Sequence, residues 1–275
     1  MKLAVFDAGS GPRIGSVEGE IVTALDFVGS MIDLISRWEG IGGLPNPTGE
    51  RFQVSDVRLL APVSRPGKIF AIGLNYADHI EESQMETPKE QVWFTKAVTS
   101  VNAPFDPIQI PRVSPYVDYE AELVAIVGKG GKHIPEDKVE EHLFGYCVGN
   151  DVTERMWQHR IPQWSLGKSF DTHAPIGPWI TTPDEVDAHN LGIRCFVNGE
   201  KRQDSNTKHL HFNIWQQVAQ LSQAMTLEPG DLIFTGTPGG IGAAMDPRQF
   251  LAAGDVLRTE IDGLGTIEAT MAQEG

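Results

Sequence analysis

Apolar residues in this chain come in short runs, many alternating with period two, and most runs stop at Gly, Pro or Asp. That pattern predicts many short strands joined by tight turns. From Lys68 onward strands are predicted at Ile69–Ile72, Glu120–Val127, Tyr146–Val148, Trp179–Thr181, Ile193–Val197, Asp231–Phe234, Val256–Ile261 and Gly265–Ala269. Helical spacing is confined to the neighbourhoods of Tyr76–Ser83, Val139–His142 and Trp215–Met225. Glu228-Pro-Gly-Asp231 and Ala252-Ala-Gly-Asp255 repeat one turn-then-strand device, and Asp262-Gly-Leu-Gly265 predicts a hairpin turn. Ahead of this body lie predicted strands Leu3–Phe6, Arg13–Val17 and Ile21–Ala24, an amphipathic helix Ser30–Trp38 and a strand Val57–Leu60. The breaker cluster Gly40-Ile-Gly-Gly-Leu-Pro-Asn-Pro47 interrupts them. The expectation is a small α/β N-terminal domain over residues 1–61 and a β-rich α+β domain over 62–275. Nothing alternates as βαβαβ, so no Rossmann sheet is expected.

The most informative run is Asp118-Tyr-Glu120-Ala-Glu122-Leu-Val-Ala-Ile-Val127, which stops at Gly128. Period-two geometry places Asp118, Glu120, Glu122, Val124 and Ile126 on one face of a strand. Carboxylates stacked on an apolar strand repel one another and resist leaving water. Two readings stand: an edge strand whose acidic face lies in water, or an oxygen-ligand set for a divalent cation.

Composition narrows the partners. Lys+Arg 22 against Asp+Glu 37 leaves a formal charge of -15 without a basic cluster, which disfavours nucleic acid and anionic membranes. An anionic small substrate stays open, because a bound cation or local lysine inverts the field. Cys147 and Cys195 sit in apolar stretches and read as buried free thiols. Met1–Asp7 reads as a strand and not a signal peptide, and no apolar run approaches membrane-spanning length. A soluble, cytoplasmic protein is the expectation.

Four further constellations carry chemistry. His79 and Glu82 stand at i, i+3, where a carboxylate orients an imidazole base; the bland alternative is a surface histidine beside acidic helix residues. Asp151 opens Asp151-Val-Thr-Glu154 at a strand-to-helix junction, either as a third oxygen ligand or as the start of a capping box. Lys168 sits in Gly167-Lys168-Ser169, which is no P-loop since Pro162 stands where that motif needs Gly. It is either a solvated loop lysine or an ammonium aimed at a developing oxyanion. In Thr235-Gly236-Thr237-Pro-Gly-Gly240-Ile-Gly242, the backbone N–H groups, Gly236 among them, and Thr237 form either a plain turn or a nest for a carboxylate. The polar stretch from Glu81, broken by Pro88 and running to Lys96, is expected to form a lid.

Taken in order, these motifs resemble the fumarylacetoacetate hydrolase family. They run Gly73-x-Asn75-Tyr-x-x-His79-x-x-Glu82, then Glu120-x-Glu122, Asn150-Asp151-x-x-x-Arg155, Gly167-Lys168-Ser-Phe170 and Gly236-Thr237-Pro-x-Gly240-x-Gly242. The resemblance spans about Lys68 to the C-terminus. It implies a mixed β-roll or sandwich catalytic domain, a small N-terminal domain and a homodimer. It also implies Mg²⁺ or Mn²⁺ on Glu120, Glu122 and Asp151, a water-activating dyad of His79 and Glu82, and substrate contacts from Lys168, Gln158 and Thr237. Two positions depart from it. Ala71-Ile72-Gly73 lacks the further metal aspartate of the eukaryotic fumarylacetoacetases, and Leu74 replaces an arginine common in acylpyruvate hydrolase-like and oxaloacetate decarboxylase-like members. The activity expected is metal-dependent hydrolysis of a C–C bond in an acylpyruvate-like diketo acid. The alternatives are decarboxylation of an oxaloacetate-type 2-oxo acid, isomerisation of a hydroxydienedioate, or a catalytically silent metal-binding dimer.

Overall fold

The computed structural model describes residues 1–83 and 86–275. It is β-rich, with mixed sheets and few helices. The larger sheet has 12 strands. Its centre is Ala121–Val127, antiparallel to Leu143–Asn150 on one side and to Leu232–Phe234 on the other. Leu232–Phe234 runs parallel to Ile69–Gly73, which pairs in turn with Val92–Thr95. At the other end Ala174–Thr181 pairs with Lys2–Asp7, so the N-terminal strands extend the same sheet. Pro47–Gln53, a stretch whose polarity gave no strand signal, forms the edge by pairing with Ile21–Leu25.

A second, five-stranded sheet comprises Glu200–Asn206, Gly192–Val197, Val256–Ile261, Gly265–Gln273 and Ile108–Ile110. Between the sheets lies the larger core, where Leu123, Ala125 and Val127 meet Ile193, Leu257 and Ile267. The opposite face of the central strand, Val124 and Ile126, packs in a second core with Leu34, Ile35, Ile176 and Ile180. Helix Met31–Arg37 closes that core from its capping box, Ser30 with Asp33. Ala121–Val127 is buried at every position, which explains its near-continuous apolar run. The edge-strand reading of its carboxylates is therefore wrong. Each fully buried Leu, Ile or Val side chain here contributes about 1.5–3 kcal/mol, and that burial holds Glu122 in place inside the protein.

Local differences from the expected elements matter for the site. Asp118 does not continue the central strand; it lies in a separate short strand, Val117–Asp118, paired with Thr153–Glu154. The expected helix near Val139 is a 3₁₀ segment, Glu136–His142. The expected lid extends too far, because Val92–Thr95 is a paired sheet strand and Lys96 is buried. Within that segment Gln84 and Met85 lie outside the described residues.

Candidate active site

Glu120 and Glu122 flank the start of the central strand, and Asp151 follows the end of its neighbour Leu143–Asn150. The antiparallel register that sets Ala121 opposite Asn150 brings them together, and the Asp151 N–H donates to the Glu120 carbonyl at 2.8 Å. All three are buried, and one oxygen from each lies within 4.8 Å of the others. Asp151 does not cap the following helix. Glu154 does, accepting from the Met156 and Trp157 N–H groups, so the capping-box reading of Asp151 fails.

Buried cations face these carboxylates. Lys168 Nζ donates to Glu120 Oε2 at 2.7 Å and to Asp151 Oδ2 at 2.6 Å. Gly167 makes this possible: a Cβ there would stand 2.3 Å from the Gln158 backbone nitrogen and 2.7 Å from the Glu154 carbonyl. The two turns therefore stack backbone to backbone and push Lys168 inward. Lys96 Nζ reaches Asp151 Oδ1 at 2.5 Å from the opposite side. Arg155 bridges Glu120 Oε1 at 2.7 Å and Asp118 Oδ2 at 2.8 Å, and donates to Gln158 Oε1 at 2.9 Å.

The electrostatics separate the two glutamates. Burial alone would raise the Glu120 carboxyl, but Lys168 and Arg155 hold it at about 2. Burial, reinforced by the charges of Asp151 and Glu120, pushes the Glu122 carboxyl well above the usual carboxylate range. Burial would likewise lower the Lys168 ammonium, yet Asp151 and Glu120 keep it above its ordinary value. With all four carboxylates ionised, Asp118, Glu120, Glu122 and Asp151 would face Lys96, Arg155 and Lys168 with one negative charge in excess, and Glu122 is the group that resists carrying it. An all-oxygen donor set with an unneutralised buried carboxyl fits a hard divalent cation. With that cation bound the cluster carries one positive charge, which suits an anionic ligand.

The His79–Glu82 pair is formed. His79 Nδ1 lies 2.8 Å from Glu82 Oε1, and Glu82 Oε2 accepts from the Gly240 N–H at 2.7 Å. Both residues come from helix Ala77–Ser83, whose entry is pinned by buried Asn75 bonded to Phe212 and the Thr235 carbonyl. Gly236 has φ +103, and a Cβ on it would meet the Asn75 Cβ at 2.8 Å, so only glycine permits the approach.

The Gly-rich loop is no free nest. Gly236 N–H donates to Glu122 Oε2 at 2.8 Å, Gly242 N–H to Asp118 Oδ1 at 2.8 Å, and Ala243 N–H to Asp118 Oδ2 at 2.9 Å. With Gly240 on Glu82, these donors serve the protein's own carboxylates, and Gly236 has no N–H left for a substrate. Thr237 Oγ1 accepts from Gln203 at 2.9 Å, which leaves its own O–H proton to donate. Gln158 accepts through Oε1, which leaves its amide N–H groups for the cleft.

A cleft of about 420 Å³ unites these groups. His79, Glu82, Glu120, Gln158, Lys168 and Thr237 all line it, with Phe94, Trp164, Ile241 and Phe250 as apolar walls. Sequence reasoning overlooked Lys96, His159 and Arg248 and left Arg155 without a role. For Lys96 a signal existed: Val92-Trp-Phe-Thr-Lys96 alternates so that Phe94 and Lys96 share the inward side.

The comparisons with known proteins agree with this geometry. The family model described as fumarylacetoacetate hydrolase, C-terminal, matches residues 68–272. The chain belongs to the fumarylacetoacetate hydrolase family. A second model, described as Rv2993c-like, N-terminal, matches residues 1–62. A mitochondrial oxaloacetate tautomerase of Xenopus laevis is 49% identical over 216 residues, covering 78% of this chain and 68% of that protein. Among solved structures, a 5-carboxymethyl-2-hydroxymuconate delta-isomerase from Mycobacterium smegmatis is 33% identical with a TM-score of 0.85, covering 100% of both chains. A maleylpyruvate hydrolase from Sphingobium, in complex with manganese(II) and pyruvate, is 32% identical with a TM-score of 0.82, again covering 100% of both. This family member thus resembles tautomerases and isomerases as well as hydrolases, and its acidic cluster is of the kind that holds a divalent metal. Among the described residues no helix is long and apolar enough to cross a membrane.

Proposed function

We propose that this fumarylacetoacetate hydrolase family member catalyses keto–enol proton transfer on an oxaloacetate-type 2-oxo dicarboxylate. The observation that carries the reading is a carboxylate-oriented histidine and a buried lysine lining one cleft beside the acidic cluster. The similarity to the oxaloacetate tautomerase favours proton transfer among the reactions such a site supports. This replaces C–C hydrolysis as the leading activity, because tautomerisation needs a base and a stabilised enolate but no attacking water.

Glu120, Glu122 and Asp151 would hold the metal, Mg²⁺ or Mn²⁺, which supplies Lewis-acid polarisation of the 2-oxo group when bound. The protein's own groups do the rest. Glu82 accepts from His79 Nδ1–H and so leaves the Nε2 lone pair to exchange a proton with the carbon next to the 2-oxo group. Lys168 places positive charge where the enolate oxygen forms, and the Gln158 amide and Thr237 hydroxyl orient the neighbouring carboxylate. Phe94 and Trp164 shield the reacting end from water; the Lys168 ammonium lies 4.9 Å from the Phe94 ring centroid. We further propose a homodimer acting in a reducing compartment such as the cytoplasm, which two buried free thiols suit.

Hydrolysis is the second reading, favoured by the likeness to maleylpyruvate hydrolase. The test dilutes enol oxaloacetate into buffer with protein and Mg²⁺ and follows loss of enol absorbance, with malate dehydrogenase reporting the keto form. Acylpyruvates are assayed in parallel through pyruvate release. Faster enol loss supports the proposal. Acylpyruvate cleavage without any effect on enol loss would return the hydrolase, and inertness toward both would leave the silent metal-binding dimer.

A further inference from the structure

The cations lining the cleft are not equivalent. Lys168 and Arg155 are buried and committed to Glu120, Asp151 and Asp118. Arg248 lines the same cleft from the loop after the Gly-rich turn, is exposed, and makes no ion pair among the described residues. The same cleft is also lined by the apolar side chains of Ile241, Phe250 and Leu74. Beside it, His159 follows the Arg155–Gln158 turn. Desolvation first, then Arg155, Arg248 and Lys168, hold the His159 imidazole below its ordinary value. At neutral pH it is therefore a neutral hydrogen-bonding group, and Arg248 supplies the free charge.

We propose that Arg248, assisted by His159, is the specificity residue of this cleft and binds the distal carboxylate of a dicarboxylic substrate. The inference rests on the 2-oxo dicarboxylate reading above and extends it to the other end of the molecule. A 2-oxo acid that sets its 1-carboxylate and carbonyl against Gln158, Thr237 and Lys168 directs its remaining carbon chain away from that end. A methyl group there meets apolar wall and leaves the guanidinium unanswered. A carboxylate there takes a bidentate, charge-assisted pair from a planar fork that is always protonated. In a chain of net charge -15, an unpaired arginine at the cleft also concentrates anions that the rest of the surface repels. The apolar Leu74 leaves no competing cation at its position.

Two four-carbon pairs that differ only in the terminal group test this. In binding, malate and 2-hydroxybutanoate, neither able to enolise, are titrated calorimetrically into the Mg²⁺-loaded full chain. In turnover, oxaloacetate and 2-oxobutanoate are compared by kcat/KM. Wild type should prefer the diacid, and R248Q should reduce that preference about tenfold in both. R248E should reverse it, and H159A should weaken it less. Since Arg248 is exposed, an unchanged melting temperature certifies the fold of each variant. A diacid preference equal in R248Q and wild type, or absent from wild type, overturns the assignment, as does failure of wild type to bind malate. If wild type shows the Arg248-dependent binding preference but turns over neither 2-oxo acid, the carboxylate site stands and the tautomerase reading falls.

Discussion

Lys96→Met isolates one charge in the buried cluster while keeping a side chain of similar length. The Lys96 ammonium has no solvent exposure, touches Asp151 Oδ1 at 2.5 Å, and is its partner on the side opposite Lys168. Breaking a buried pair by removing one partner costs about 3–5 kcal/mol. Here Asp151 keeps Lys168, and methionine fills the volume, so about 2–3 kcal/mol is expected. For a chain of this length that lowers the melting temperature by about 5–10 °C. The measurement is thermal unfolding by fluorescence with EDTA and again with saturating Mg²⁺. Because a divalent cation restores positive charge beside Asp151, Mg²⁺ should raise the melting temperature more in the variant than in wild type. A variant that melts like wild type in EDTA refutes the clamp. One that loses the same number of degrees in both buffers shows that Lys96 acts by packing and not by charge.

Glu122→Gln should abolish Mg²⁺ binding by calorimetry yet leave the chelated protein more stable at neutral pH, because burial and two like charges oppose Glu122 ionisation. Since the folded-state pKa is raised, the native protein holds an extra proton above the ordinary value of 4.5, and its contribution falls as pH rises from there toward the folded value. The wild-type minus Glu122→Gln stability difference in EDTA should therefore decline over that window, and a flat difference contradicts the assignment. Glu82→Gln should slow enol conversion by ~10²–10⁴-fold at unchanged Mg²⁺ affinity; weakened metal binding would mean that Glu82 supports the cluster instead. Gly167→Ala forces its Cβ onto backbone atoms of Gln158 and Glu154. It should lower both melting temperature and turnover, and wild-type behaviour would show that the two turns can separate freely.

What the sequence determined by itself was whatever is local in the chain. The His79–Glu82 pair is one helical step apart, Glu120 and Glu122 are one strand step apart, and the turn glycines announce themselves by position. Their order sufficed for the family and for a β-rich fold. Tertiary structure decided everything that depends on which strands become neighbours. Pairing on both sides buried Ala121–Val127 and turned a plausible solvent-facing acidic edge into a desolvated cluster. The break before Ala121 sent Asp118 to Arg155 and the Gly-rich loop, outside the Glu120, Glu122 and Asp151 ligand group. That loop looked like a substrate nest because backbone N–H groups are visible in a sequence and their acceptors are not; the acceptors are Glu82, Glu122 and Asp118, from elsewhere in the chain. Lys96 and Arg248 escaped notice for the same reason. Alternation turns Lys96 inward but does not name its acceptor, so only the folded chain shows that Lys96 meets a buried aspartate while Arg248 lines the cleft without an ion pair among the described residues.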